Sequence, residues 1–153
     1  MTVHMQDETG AYAGLFAENP NREGWTEVTE PPERAIGRLN EDFAQAMKQL
    51  QTGWPDYEVA TWSTQAAEAK TWAEAEEGAK PATPFLTALH LGRAALGWQE
   101  DFASLVDKVL RNTELYTQGT GRLIAARHFA ERAIQAATDA GSITWDFSLE
   151  SGE

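Results

Sequence analysis

Thr83-Pro84-Phe85-Leu86-Thr87-Ala88-Leu89-His90-Leu91-Gly92-Arg93-Ala94-Ala95-Leu96-Gly97 carries a complete helix signal. Thr is a good residue to precede a helix, and Pro is favoured at its first position, where the missing N–H has no intrahelical acceptor to lose. Phe85, Leu86, Leu89 and Leu96 supply apolar side chains, and Gly97 can end the helix because it tolerates a positive φ. This stretch sets the class of the chain, and the flanking sequence repeats the pattern. Downstream, Gln99 to Gln118 places Phe102, Leu105, Val106, Val109, Leu110 and Tyr116 on one stripe, which predicts a second helix. Gly119-Thr120-Gly121 is expected to break it. A third helix is expected from Arg122 to Ala140, with Leu123, Ala126, Ala130, Ile134 and Ala137 on one side, Phe129 and Ala133 beside them, and Gly141 as its end. Its small residues allow close packing on a neighbour.

Upstream, the spacing predicts a helix from about Tyr57 to Glu77, with Trp62, Ala66, Ala69 and Trp72 or Ala73 on one side. Its first turn, Tyr57 to Trp62, also reads as a strand. Glu33 to Gln51 carries Ile36, Leu39, Phe43, Ala46, Met47 and Leu50 at three- and four-residue steps, an amphipathic helix stopped by Gly53 and Pro55. Before Pro31-Pro32 the pattern changes. Gly10, Gly14, Pro20 and Gly24 divide the runs Thr2 to Gln6, Ala11 to Ala17 and Trp25 to Thr29, which read as short strands and turns, with Asp7-Glu8-Thr9-Gly10 as a hairpin connection. Ser142 to Leu149 alternates Ile143, Trp145 and Phe147 with polar residues and suits an edge strand or an extended tail. Residues 1–32 thus form a turn-rich N-terminal segment, 33–56 an amphipathic helix and linker, 57–141 a helical domain and 142–153 the C-terminal strand or tail. The expected fold is mainly α with a small β/turn-rich N-terminal part, and the short connections after Thr83 favour an antiparallel helical array.

A chain of 153 residues is long enough for one core. Its 12 Lys and Arg stand against 24 Asp and Glu, a net charge of −12 that repels nucleic-acid phosphates and anionic membranes. No cysteine is present, which removes disulfides and thiolate chemistry and fits a reducing compartment. The N-terminal residues lack the positive flank and apolar run of a signal peptide, and no later run approaches a membrane span. The expectation is a soluble protein made in the cytoplasm, with neither nucleic acid nor membrane as partner.

Reaction chemistry is missing from the sequence. His4, His90 and His128 are far apart, and without cysteine the usual zinc spacings cannot be written. There is no G-x-S-x-G or H-E-x-x-H pattern, and Gly119-Thr120-Gly121 lacks the Lys and Ser/Thr of a phosphate cradle. Glu74, Glu76 and Glu77 read as a solvated helix end. The reading is of a non-enzyme with no catalytic residues, no metal and no cofactor.

What remains is recognition. Of six tryptophans, Trp62 and Trp72 fit helix stripes and read as core, whereas Trp25, Trp54 and Trp145 sit in turn-rich or terminal segments. Those three are candidate partner contacts, together with Tyr12 and Phe16 of the N-terminal part. Arg122, Arg127 and Arg132 are spread round the last helix and read mainly as surface charge. Arg127 is retained as a candidate because Arg is enriched at interface hot spots.

Trp62, Gln65 and Glu68-Ala69, the Pro81-Ala82-Thr83-Pro84-Phe85-Leu86 helix start, Arg93, Leu105-Val106-Asp107-Lys108-Val109 with Tyr116, and Gly121 followed by Arg127 and Ala136-Ala137-Thr138 together span about half the chain. In these residues the chain resembles a helical domain of bacteriophage tail-associated proteins, including tail-fibre assembly chaperones, in which a turn-rich N-terminal part like Asp7 to Gly14 often adjoins the helices. The resemblance implies a chaperone that binds the tail-fibre or other receptor-binding protein and assists its folding or trimerisation in the host cytoplasm. The alternative it leaves is a structural virion protein kept on the tail fibre or baseplate.

Overall fold

The computed structural model describes residues 2–148. Leu149 and the rest of segment 142–153 beyond Ser148 lie outside the described residues. Three strands come first, β1 (Val3–Gln6), β2 (Tyr12–Phe16) and β3 (Thr26–Val28), followed by the helices α1 (Pro32–Gln49), α2 (Asp56–Val59), α3 (Trp62–Glu74), α4 (Pro84–Ala95) and α5 (Phe102–Ala136). The protein is mainly α with a small antiparallel β-sheet at its N-terminus. It divides into two compact units: residues up to Met47 together with those from Arg122 onward, and Lys48–Gly121. These units do not follow the four consecutive segments read from the sequence, because one of them joins the two ends of the chain.

In the first unit the sheet has the order β2-β1-β3. The expected hairpin at Asp7 to Gly10 forms: the Asp7 carboxylate accepts the backbone N–H groups of Thr9 and Ala11 at 2.9 and 3.0 Å, and Gly10 takes φ +87°. A register irregularity between Met5 and Gln6 pairs Met5 with Gly14 and Gln6 with Tyr12. Met5 is fully buried. Ala35 and Leu39 of α1 pack with Ala130 and Ile134 of α5 and with Ala140, and Ile143, Trp145 and Phe147 close over this cluster. Complete burial of a Leu or Ile side chain contributes about 1.5–3 kcal/mol. Residues 143–148 form no strand, so the extended-tail alternative is the one observed.

Glu30 ties the loop before α1 to that helix. Its side chain is 3% exposed and accepts two hydrogen bonds from the Arg38 guanidinium, at 2.8 and 2.5 Å, with Arg34 at 3.7 Å. The Arg38 hydrogen bond holds the Glu30 carboxyl below its usual range, against the opposing effect of burial.

In the second unit, Ala69 of α3, Leu86 of α4 and Leu105, Val106 and Val109 of α5 form the core, with Trp72, Phe85, Leu89 and Phe102 packed round it. The helix expected over Tyr57 to Glu77 is two helices. The chain is interrupted at Ala60-Thr61, where the Thr61 hydroxyl donates to the Glu58 carbonyl at 2.7 Å. Helix α3 stops at Glu74, and the Lys80 ammonium donates to the freed carbonyls of Trp72 and Ala75 at 2.9 and 2.7 Å. Helix α4 starts at Pro84 and is closed by Gly97 at φ +89°, as the sequence predicts. Its cap comes from elsewhere: the Thr83 side chain makes no capping bond, and both carboxylate oxygens of Glu68 on α3 accept the N–H groups of Phe85 and Leu86, at 3.0 and 2.8 Å.

The break expected at Gly119-Thr120-Gly121 does not occur. Helix α5 is one element of 35 residues, and neither Gly119 nor Gly121 has a positive φ. A helical glycine costs about 1 kcal/mol relative to Ala but forbids nothing, and the strong helix formers on both sides carry the helix through. The last helix therefore has no start of its own at Arg122, and it ends at Ala136, short of Ala140; Ala140–Ser142 is a 3₁₀ turn capped by Asp139.

Candidate functional site

Helices α3, α4 and α5 of the second unit wall a groove of about 560 Å³. Trp62, Gln65 and Ala66 face it from α3, Leu89 and Arg93 from α4, and Leu105, Val109 and Tyr116 from α5, with Leu50 and Trp54 from the segment before α2. These positions recur at three- and four-residue steps, so each helix presents one stripe. The size falls within the range of sites that take a small ligand or a few side chains of a partner.

One end of the groove is aromatic. Trp62 meets Trp54 edge-on at 5.8 Å between ring centroids and Tyr116 at 5.1 Å, and Gln51 donates to the Tyr116 hydroxyl at 3.1 Å. Trp54 remains 47% exposed, Leu115 68% and Tyr57 91%. Neither the Trp54 nor the Trp62 indole N–H has a hydrogen-bond partner among the described residues. The other end is polar and charged. Glu100, 4% exposed, accepts from Arg93 at 3.1 Å and from Lys108, and these two cations hold its carboxyl below the usual range, Lys108 contributing most. A second, polar depression of about 760 Å³ lies against this cluster, lined by His90, Trp98, Glu100, Asp101, Asp107, Lys108 and Arg111.

The six residues singled out in the sequence are placed unevenly. Trp54 alone lies in the groove. The other five belong to the first unit, and each is engaged there. The Tyr12 hydroxyl lies 2.8 Å from His4 Nδ1, and Phe16 packs edge-on against Trp25 at 5.9 Å. Trp25 donates its indole N–H to Glu8 at 3.0 Å, and Trp145 donates its own to Asp42 at 2.9 Å. Arg127 donates to Asn40 and Glu131, at 2.9 and 3.0 Å.

Trp62, Tyr116, Leu89 and Leu115 are the groove residues that sequence reasoning passed over. Trp62 and Tyr116 lie on helix stripes and look like core. The signal that marks the aromatic end is the spacing Trp54, Glu58, Trp62, which Pro55 conceals by separating Trp54 from the helical run. Among the described residues no group of three or more His, Asp and Glu side chains is placed to hold a metal ion, and no helix is long and apolar enough to cross a membrane. Compared with known protein families, characterised proteins and solved structures, the chain matches none.

Proposed function

We propose that this chain is a non-enzymatic assembly factor that binds a segment of another protein. The observation that carries the reading is the exposed apolar surface of the second unit: Trp54, Tyr57, Leu91, Leu96, Trp98 and Leu115 remain in contact with water on a chain of net charge −12. Trp54 and Leu115 among them line the groove; exposed apolar side chains at a groove mark interaction sites, and a high net charge keeps such a surface dispersed. The resemblance of residues 61–138 to phage tail-associated proteins gives the partner class: a tail-fibre or other receptor-binding protein, whose folding or trimerisation the chain assists in the host cytoplasm. Fibre tips rich in β-structure expose edges and apolar surface while three chains associate, which is the stage such a factor protects.

The test is co-expression of a phage tail-fibre gene with and without this protein, followed by capture of the tagged full chain and mass spectrometry of what it holds. Recovery of the fibre protein, with trimer yield falling when this chain is omitted, supports the reading. Unchanged fibre yield and trimer content contradict it. Stoichiometric presence of the chain in purified particles moves the reading to a structural tail protein.

A further inference from the structure

The groove has a polarity and a wall type that specify its occupant. Lys108 and Tyr116 lie eight residues apart on α5, about 12 Å along the axis at a rise of about 1.5 Å per residue. The aromatic end, with Trp54, Trp62 and Tyr116, also carries Glu58; the opposite end carries Arg93 and Lys108, two cations sharing the single buried carboxylate of Glu100. Asp101 and Asp107 line the neighbouring depression and not this groove. Of the charged side chains that line the groove, Glu58 thus lies at its aromatic end and Arg93 and Lys108 at its other end, where Glu100 offsets one of the two positive charges.

Its walls are helical side chains and offer no strand edge. An extended peptide laid there brings an unpaired N–H and C=O at each residue, and each such group costs about 1–3 kcal/mol when buried without a partner. A helix satisfies its own backbone. Apolar anchors at i, i+4 and i+7 of a helix span about 10 Å, which matches the distance between the two ends of the groove. A helix dipole has its positive pole at the N-terminus and its negative pole at the C-terminus, so the charges favour one direction.

We infer that the groove between α3, α4 and α5 docks an amphipathic helix of the partner protein, with its N-terminal end at Trp54 and Glu58, its C-terminal end at Arg93 and Lys108, and acidic residues in its last turn. This rests on the reading of the chain as a partner-binding protein and names the segment that it binds.

The experiment uses the full chain and two fluorescently labelled 15-residue peptides of equal composition. One has leucines at i, i+4 and i+7 with aspartates in its last turn; the other has the same residues arranged in strand-like alternation. The helix-patterned peptide should bind, gain helicity on binding and shift Trp emission, and the alternating one should bind at least tenfold more weakly. Leu115→Asp and Trp54→Ala, both at exposed positions, should each weaken binding at least tenfold with melting temperatures kept within a few degrees. Lys108→Gln should remove the preference for aspartate over lysine in the last turn of the peptide. Equal binding of both peptides, no binding of either, or indifference to Leu115→Asp and Trp54→Ala overturns the inference. So does a concentration-dependent dimer of the chain that Leu115→Asp dissolves, which makes a second copy the occupant, or displacement of the peptide by dodecanoate at stoichiometric amounts, which makes it an apolar small molecule. If the fibre protein is captured as well by the groove variants as by the wild type, the proposed function stands and this inference fails.

Discussion

The two units of this chain treat their aromatic side chains differently. In the first unit each indole N–H ends on a carboxylate, Trp25 on Glu8 and Trp145 on Asp42, and the Tyr12 hydroxyl meets His4. In the second unit Trp54 and Trp62 pack ring against ring with their N–H groups unpartnered among the described residues. Both arrangements bury part of a large apolar ring, but only the first satisfies its polar edge. The first unit ties its indoles to carboxylates, whereas the second packs Trp54 against Trp62 in the wall of the groove.

The largest expected effect falls in the first unit. Glu30→Gln removes the buried carboxylate that Arg34 and Arg38 share and should lower stability by about 2 kcal/mol, below the full cost of breaking a buried pair because both arginines are partly exposed. Urea unfolding followed by circular dichroism measures it. The pH profile has a definite sign. Glu30 and Glu100 both have folded-state values held below the ordinary glutamate value of 4.5, so the unfolded chain binds more protons. The stability they contribute is present above 4.5 and is lost as pH falls through their folded values, and the part due to Glu30 should vanish in Glu30→Gln. A profile that stays flat as pH falls would contradict the role assigned to the pair.

In the second unit the corresponding position is Glu68. Glu68→Ala leaves the Phe85 and Leu86 N–H groups without their acceptor and should cost about 1–2 kcal/mol, with faster amide exchange concentrated at the start of α4. Smaller again is the indole contrast itself. Proton exchange measured by NMR should be about fivefold slower at Trp25 and Trp145 than at Trp54 and Trp62, since a net hydrogen bond contributes about 1 kcal/mol. Equal rates would remove the distinction between the units. The least effect belongs to Gly121→Ala. A Cβ there meets nothing within 4 Å, so the variant should gain somewhat under 1 kcal/mol by favouring the helix. A loss on thermal melting would instead mean that α5 is interrupted in solution.

Much of the fold was legible because its signals are local. Pro84 and Gly97 bound α4, Gly10 closes the hairpin, and the stripe through Leu39 and Ala46 marks α1, each decided within a few residues. At Gly119 and Gly121 the local signal points the wrong way, because the modest helix cost of each glycine is outweighed by the whole of α5. The cap of α4 was out of reach for the opposite reason: Glu68 lies 17 residues before Phe85 and acts only once α3 and α4 are packed. The groove was hidden in the same way. Trp62 and Tyr116 are 54 residues apart, and a stripe residue that faces a cavity looks in sequence like one that faces a core. Of the six candidate contacts, Trp54 stood out because Gly53 and Pro55 exclude it from a helix stripe, and the same reasoning selected Trp25 and Trp145, whose carboxylate partners no local pattern announces.

The most direct measurement of the central claim is a paired capture from cells co-expressing the fibre gene, using the tagged chain with Trp54→Ala and Leu115→Asp in the second unit, or with Trp25→Ala in the first. The account predicts that the second-unit variant loses its partner while the Trp25→Ala chain retains it. Retention by the groove variant together with loss by Trp25→Ala would place recognition in the first unit and contradict the account.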